Sequence, residues 1–210
     1  MCYTTIIIMV RWPAPGRCKL RLMRDLGPIT AAKIQRKLIS HTLSVAVKAR
    51  QHTNLVIHLA VSGLGPVAAA RWGASSGADH TWLQGHGNLG MCMRRMLLRV
   101  HRETRRSHKV VLIGSDLPSL TVADLEEAVK TLDYRRIVLG SAVDGGYWLL
   151  GLGKELLRPV AVWPFTDISW GTDTVLNTTL RRACQLGFDP VLLSHRQDID
   201  QVVDLTLWQR

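Results

Sequence analysis

Four stretches of this chain carry residue types at spacings that chemistry uses. The first is Val110-Val-Leu-Ile-Gly-Ser-Asp-Leu-Pro-Ser-Leu120. Its four apolar residues read as a strand buried on both faces, ending at Asp116 and stopped by Pro118. Open α/β sheets bind ligands beyond the carboxyl ends of their strands, so Asp116 is a candidate metal or substrate ligand. Read alone, the same carboxylate could equally brace the turn. The second stretch, Arg11 to Leu22, follows an apolar run over Thr4 to Val10. Pro13, Pro15 and Gly16 force an irregular loop, and Arg17, Lys19 and Arg21 crowd three cations into it. Lys19 and Arg21 alternate along an extended segment and so share a direction. Backbone amides and cations in such a loop suit phosphate oxygens. The loop has neither the Gly-Lys-Ser/Thr ending of a P-loop nor a GxGxxG pattern. The third is Ala142-Val-Asp-Gly-Gly-Tyr-Trp148, where Asp144 and Gly145 read first as a tight hairpin turn. Gly145 and Gly146 also allow close backbone approach, so the same turn could shape a pocket. The fourth, Asp198-Ile-Asp200, follows the last predicted strand. By pattern Asp200 caps a closing helical turn; taken with Asp116, either carboxylate could complete a metal site.

Taken together, carboxylates at several strand ends and a cationic loop make the layout of an enzyme that breaks a bond to a phosphate oxygen. Charge then develops on the departing diphosphate. Asp116 with Asp198 or Asp200 would share a divalent cation such as Mg2+ or Mn2+, since magnesium takes few carboxylates and fills its shell with water and phosphate.

The elements that must position these groups alternate. A long helix is predicted over Ile29–Arg50 and strands over Leu55–Val61, Asp79–Leu83, Arg136–Leu139, Tyr147–Leu150 and Val191–Leu193. Shorter helices are predicted over Pro66–Trp72, Thr121–Leu132 (with a Thr121/Asp124 capping box) and Thr172–Leu186, with a last turn at Val202–Leu207. Alternating strands and helices imply a mostly parallel sheet covered by helices on both faces.

The chain has 210 residues and 47% hydrophobic composition, enough for one domain, 1–210, with a full core. No apolar run approaches the length of a bilayer span, and Ile6–Val10 lacks the flanks of a signal peptide. The four cysteines (2, 18, 92 and 184) share no metal-ligand spacing and read as free thiols of a cytoplasmic protein. Cys18, alone in the basic loop, is a weak nucleophile candidate.

The formal charge is +11. Arg94, Arg95, Arg99, Arg102, Arg105, Arg106 and Lys109 are predicted on one helix capped by Asn88. Arg95, Arg99, Arg102 and Arg106 form one face opposite an apolar stripe of Met93, Met96, Leu97 and Val100. A non-catalytic surface for an anionic partner, a nucleic acid such as RNA or a membrane lipid, is one reading. A solvated face is the simpler one, because no aromatic residues interleave with the arginines.

These motifs, in this order, resemble the bacterial family called radical-SAM/selenodomain-associated transferase 1, also known as arsenosugar-biosynthesis glycosyltransferase. The family's Pro-x-Pro-Gly-x-x-Lys-Thr-Arg-Leu corresponds to Pro13–Leu22 and its Gly-Asp-Leu-Gly to Gly87–Gly90. Its Gly-x-Asp-x-Pro-x-Leu corresponds to Gly114–Leu120, its Asp-Gly-Gly-Tyr to Asp144–Tyr147, its Phe-x-x-Ile and following Trp to Phe165–Trp170, and its Asp-Ile-Asp to Asp198–Asp200. The resemblance implies a GT-A-like (Rossmann-like) three-layer α/β sandwich of the nucleotide-diphospho-sugar transferase superfamily. It implies a metal-dependent transferase that uses a nucleotide or nucleotide-sugar donor, with glycosyl transfer to a small-molecule acceptor first and nucleotidyl transfer to a phosphorylated acceptor as the alternative. By the same resemblance, Pro15, Gly16, Lys19, Arg21 and Gly90 hold nucleotide or phosphate. Gly145, Gly146, Tyr147 and Trp170 shape the substrate pocket. Asp116 and Asp144 are catalytic, and Asp116, Asp198 and Asp200 hold the metal. The chain departs from the family at Leu20, Asn88, Met91, Cys92 and Gln201. Asn88 loses a charge but keeps its hydrogen-bonding groups.

Overall fold

A computed structural model describes residues 3–103 and 107–208. Its frame is one seven-stranded sheet in the order β3-β2-β1-β4-β6-β5-β7. The strands are β1 (Tyr3–Arg11), β2 (Leu55–Ser62), β3 (His80–Leu83), β4 (Ser107–Ile113), β5 (Arg136–Ala142), β6 (Tyr147–Leu152) and β7 (Asp189–Arg196). β6 alone runs against its neighbours β4 and β5; the remaining pairs are parallel. β5 and β6 are consecutive and joined by a short turn, which is why they pair antiparallel, whereas each parallel pair needs a longer crossover.

The helices are α1 (Leu20–Leu26), α2 (Pro28–His52), α3 (Pro66–Ala74), α4 (Leu89–Glu103), α5 (Val122–Thr131), α6 (Lys154–Leu157) and α7 (Val175–Gln185). A 3-10 helix at Val202–Leu207 closes the described chain. Alternation along the strands divides the core. Ile6, Ile8, Val111 and Ile113 pack with α2 and α5 residues such as Ile39, Leu43 and Leu125. Ile7, Val110 and Leu112 face the other way, onto Met93, Met96, Leu97 and Val100 of α4 and Ala183 of α7. Two buried faces per strand explain the unbroken apolar runs in β1 and β4. This three-layer α/β arrangement is the fold class expected from the sequence. No helix among the described residues is long and apolar enough to cross a membrane.

Several local expectations change. The segment after Lys19 is not extended: Lys19 adopts a left-handed conformation (φ 47°) and starts α1. Leu22 drives this by burying itself with Ala31, Leu38 and Ile199 in a small third cluster. The basic helix is described over Leu89–Glu103, and Lys109 lies on β4. Arg105, Arg106 and Cys2 lie outside the described residues. α7 starts at Val175 rather than Thr172. Asp200 does not cap the closing turn; Gln201 does, in a capping box with Asp204, which accepts the Asp200 and Gln201 amides at 2.9 and 2.7 Å. The Thr121/Asp124 capping box and the Asn88 cap are both present, the latter through a 2.9 Å bond from the Met91 amide.

Candidate active site

β1 is the point where the strand order reverses, with β2 on one side and β4 on the other. Ligands of open α/β sheets bind at such a crevice. Every strand but β6 ends at the same edge, so Arg11, Ser62, the Gly114–Asp116 turn, Ala142 and the Arg196–Asp200 segment converge there.

The loop after β1 turns tightly through Gly16 (φ 78°), with the Arg17 amide bonded to the Ala14 carbonyl. Pro15 and Gly16 shape this turn, and Gly16 lines a small hollow with Arg11 and Arg17. Cys18 donates to the Ala14 carbonyl, and burial pushes its thiol pKa up despite Lys19 and Arg11 nearby, so it is held as a thiol rather than a nucleophile. Lys19 is the pivot. A left-handed non-glycine costs about 1–2 kcal/mol and persists only where its surroundings hold it. Here the side chain is 6% exposed, and its ammonium donates to the Ile199 carbonyl and lies 3.0 Å from Asp116 Oδ1. That contact is out of hydrogen-bond alignment, so Asp116 Oδ1 is buried with an unfilled hydrogen bond.

Asp116 is locked by its neighbours. Its carbonyl accepts the Ile199 amide at 2.9 Å, and the preceding Ser115 is buried against Gln35 of α2 at 3.3 Å. Arg196, at the end of β7, donates to Asp124 and to the Ser119 carbonyl. It thereby ties the Asp116 turn to the segment carrying Asp198. Arg21 pairs with Asp200. The sequence reading set these cations on phosphate and these carboxylates on metal; the structure pairs Lys19 with Asp116 and Arg21 with Asp200.

The β5–β6 turn is a hairpin, as the Asp-Gly pattern indicates. Asp144 Oδ1 accepts the Gly146 amide at 2.9 Å. Gly145 (φ 83°) lies against the Asp173 backbone, leaving no space for a Cβ, and its carbonyl accepts the Leu176 amide at 2.9 Å at the start of α7. Gly90 has no room either: a Cβ would meet the Trp170 indole nitrogen at 2.6 Å. Gly90 is thus the seat of the segment that carries Trp170. Arg182 of α7 holds this segment by donating to the carbonyls of Trp163, Thr166 and Asp167.

Two cavities meet at Asp116 and Leu89. One, of about 490 Å³, is polar and cationic, bounded by Arg11, Lys19, Arg21, Gln35, Ser62, Gln84 and Asp200. The other, of about 260 Å³, has apolar and aromatic walls (Ile113, Leu117, Leu120, Tyr147, Trp148, Trp170, Val175) and three carboxylates, Asp116, Asp144 and Asp198. Burial, then Asp144, hold the Asp198 carboxyl above its ordinary range; Asp116 adds to this and Lys19 opposes it. Burial also pushes the Tyr147 phenol well above its usual value.

Gln35, Ser62, Gln84, Arg182 and Arg196 were not singled out in the sequence. Gln84 follows β3 and donates to the Val10 and Ala60 carbonyls, and a glutamine just past a strand end was its only signal. Of the arginine stripe, Arg95 is taken up by internal carbonyls, whereas Arg99 and Arg102 are exposed, as a solvated face requires. Arg95 donates to the Gln84 and His86 carbonyls, and Arg99 pairs with Glu103 and lies 4.8 Å from the Trp82 ring centre.

Among the described residues no three carboxylate, histidine or cysteine side chains are grouped to hold a metal alone. The donors do fit a cation that takes one or two carboxylates and completes its shell with water and phosphate. Asp116, whose side chain is partly exposed beside Lys19, and Asp198, which lines the same cavity, would supply those oxygens.

No curated protein matches the chain. Among solved structures, a "putative nucleotide-diphospho-sugar transferase" from Desulfovibrio desulfuricans G20 is 25% identical, with TM-score 0.82, over 100% of this chain and 87% of that one. The 4-diphosphocytidyl-2C-methyl-D-erythritol synthase of Anaerococcus prevotii is 11% identical, with TM-score 0.63, over 100% and 97%. The inositol-1-phosphate CTP transferase of T. maritima is 13% identical, with TM-score 0.57, over 100% and 95%. The last two share the fold, which is that of nucleotide-diphospho-sugar transferases and cytidylyltransferases. A family model covering residues 42–172, from the middle of α2 to the segment over the aromatic cavity, matches as well, and the chain therefore belongs to the family described as "Uncharacterized protein conserved in bacteria (DUF2064)".

Proposed function

We propose that the chain transfers a glycosyl group from a nucleotide-sugar donor to a small-molecule acceptor, as the radical-SAM/selenodomain-associated transferases it resembles are expected to do. The protein is an enzyme of the transferase class. One observation carries the finer reading: Lys19 and Asp116 meet at the switch point of the sheet, on the boundary between a cationic cavity and an aromatic one.

Lys19, Arg21 and Arg11 bind the donor's phosphates. The acceptor lies in the aromatic cavity with its hydroxyl toward the carboxylates. Its oxygen bonds to the anomeric carbon, the bond from that carbon to the diphosphate oxygen breaks, and the diphosphate leaves with the electron pair. Asp144 takes the hydroxyl proton. Lys19 stands where negative charge grows on the leaving group, in the manner of preorganised electrostatic stabilisation. A divalent cation, held by Asp116 and Asp198, would neutralise diphosphate charge. Free thiols at Cys18, Cys92 and Cys184 suit a cytoplasmic setting.

Calorimetry with nucleoside triphosphates and nucleotide-sugars, with and without magnesium or manganese, tests this. Binding is expected to need the metal and to weaken at least tenfold in Lys19→Met and Asp116→Asn. Unchanged metal-dependent binding in both variants would remove the proposed site. Pyrophosphate release from a triphosphate, with no nucleotide-sugar turnover, would replace glycosyl by nucleotidyl transfer.

A further inference from the structure

The two cavities differ in sign, and this difference selects the acceptor. We infer that the acceptor is an uncharged or cationic hydroxyl compound with an apolar face, and that the aromatic cavity refuses phosphate monoesters. The inference rests on the transferase reading above and deepens it.

The argument begins with the linings. The cationic cavity brings Arg11, Lys19 and Arg21 to one space, against Asp116 and Asp200. The aromatic cavity brings Asp116, Asp144 and Asp198 to one space, and among the described residues no lysine, arginine or histidine lines it. Asp116 is already paired with Lys19, so Asp144 and Asp198 set the sign of the aromatic cavity, and it is anionic before any cation binds. A phosphate monoester carries nearly two negative charges at neutral pH, and like charges in a partly desolvated cavity repel more strongly than in water. The walls point the same way. Trp148, Trp170, Leu117 and Val175 offer apolar surface to which a phosphate gives nothing, whereas an apolar face gains by burial there. Asp144 and Asp198 are hydrogen-bond acceptors when ionised, so they pair with the O–H or N–H groups of a ligand and not with bare oxyanions.

The volume sets the size. About 260 Å³ suits a compact molecule of one ring and a short chain. Donor and acceptor are therefore sorted before chemistry: the phosphorylated partner is drawn to Lys19 and the phosphate-free partner to Trp148 and Trp170. This separates glycosyl transfer to an alcohol from nucleotidyl transfer to a phosphorylated acceptor, in which the attacking group is itself a phosphate.

The test uses three probes that share a phenyl ring: phenethyl alcohol, phenethylammonium and phenyl phosphate. Each is titrated by calorimetry into protein preloaded with magnesium diphosphate, which occupies the cationic cavity. The alcohol and the ammonium ion are expected to bind at least tenfold more tightly than phenyl phosphate, a difference of about 1.4 kcal/mol. Thr172→Trp, at an exposed position on the cavity lining, is expected to abolish their binding. Asp144→Asn is expected to narrow the gap by raising phenyl phosphate affinity. Phenyl phosphate binding as tightly as the alcohol and lost in Thr172→Trp would overturn the inference, and so would failure of all three probes to bind. Diphosphate loading is read in the same instrument. If loading is lost in Lys19→Met while the probe order reverses, the acceptor assignment fails and the transferase reading stands. If diphosphate never binds while the probe order holds, the transferase reading fails and the cavity's selectivity stands.

Discussion

Acidification should unfold this protein through one imidazole. His58 of β2 is fully buried, and both its ring nitrogens lack hydrogen-bond partners. Its ring stacks on His80 of β3 at 4.6 Å and tilts against Trp82 at 4.1 Å. Burial first, then the neighbouring His80 and Arg99, push its pKa from 6.5 down to about 3, with Asp79 opposing. The unfolded chain takes up the proton near the ordinary value and the folded chain does not. The stability linked to neutral His58 is therefore complete above pH 6.5 and drains away as pH falls toward 3. Between pH 7 and pH 5 the loss from this group is about 2 kcal/mol, by linkage of a single site. For a chain of this length that lowers Tm by roughly 4–8 °C. His58→Phe keeps a ring against Trp82 and cannot titrate, so it should lose about 2 kcal/mol less than the wild type over the same interval. Urea unfolding of both proteins at the two pH values measures the difference, and other titrating groups cancel in the comparison. Equal pH dependence in the two proteins would refute the reasoning, since His58 would then be protonated or solvated in the folded state.

Other substitutions probe the frame of the site. Arg196→Met leaves the buried Asp124 carboxylate without its cation and releases the Ser119 carbonyl; a destabilisation on the order of 3 kcal/mol is expected in urea unfolding, together with loss of transferase activity as the Asp116 turn loosens. Gly145→Ala puts a Cβ against the Asp173 backbone at positive φ, and a stability loss of at least about 1 kcal/mol with weakened acceptor binding is expected from thermal unfolding and steady-state kinetics. Asn88→Ala removes the cap on α4 and should cost about 1 kcal/mol, whereas Asn88→Asp should be neutral or mildly stabilising because it places a negative charge at a helix N-terminus. Chelation of divalent metal should abolish turnover, and added magnesium or manganese should restore it in the same assay.

The sheet was largely legible in the sequence. Ile6–Val10 and Val110–Ile113 are apolar at every position because both faces are covered, and the Gly, Pro and Asp residues after them mark where each strand must end. The Asp-Gly turn announced the β5–β6 hairpin, since few other pairs of residues tolerate its backbone. α1 was not legible. Its seven residues are too few for a periodic signal, and its one buried residue, Leu22, gains its partners from α2 and from the far end of the chain. The arginine stripe was legible as a pattern but not as a role. Whether Arg95 and Arg99 face solvent or serve the carbonyls and rings of β3 depends on what packs beside α4.

For the candidate site the division is sharper. The order of residues determined which groups stand at strand ends, because hydrophobic burial assigns the strands and their polar ends follow. Tertiary structure decided what those groups do to one another. Lys19 reaches the Ile199 carbonyl across 180 positions of sequence, and Arg21 reaches Asp200 across 179. Charge and hydrogen bonding act over a few ångströms of space and carry no trace of sequence distance. The pairing of Lys19 with Asp116, and the division of one crevice into a cationic and an anionic half, exist only once β1, β4 and β7 are side by side at the same edge.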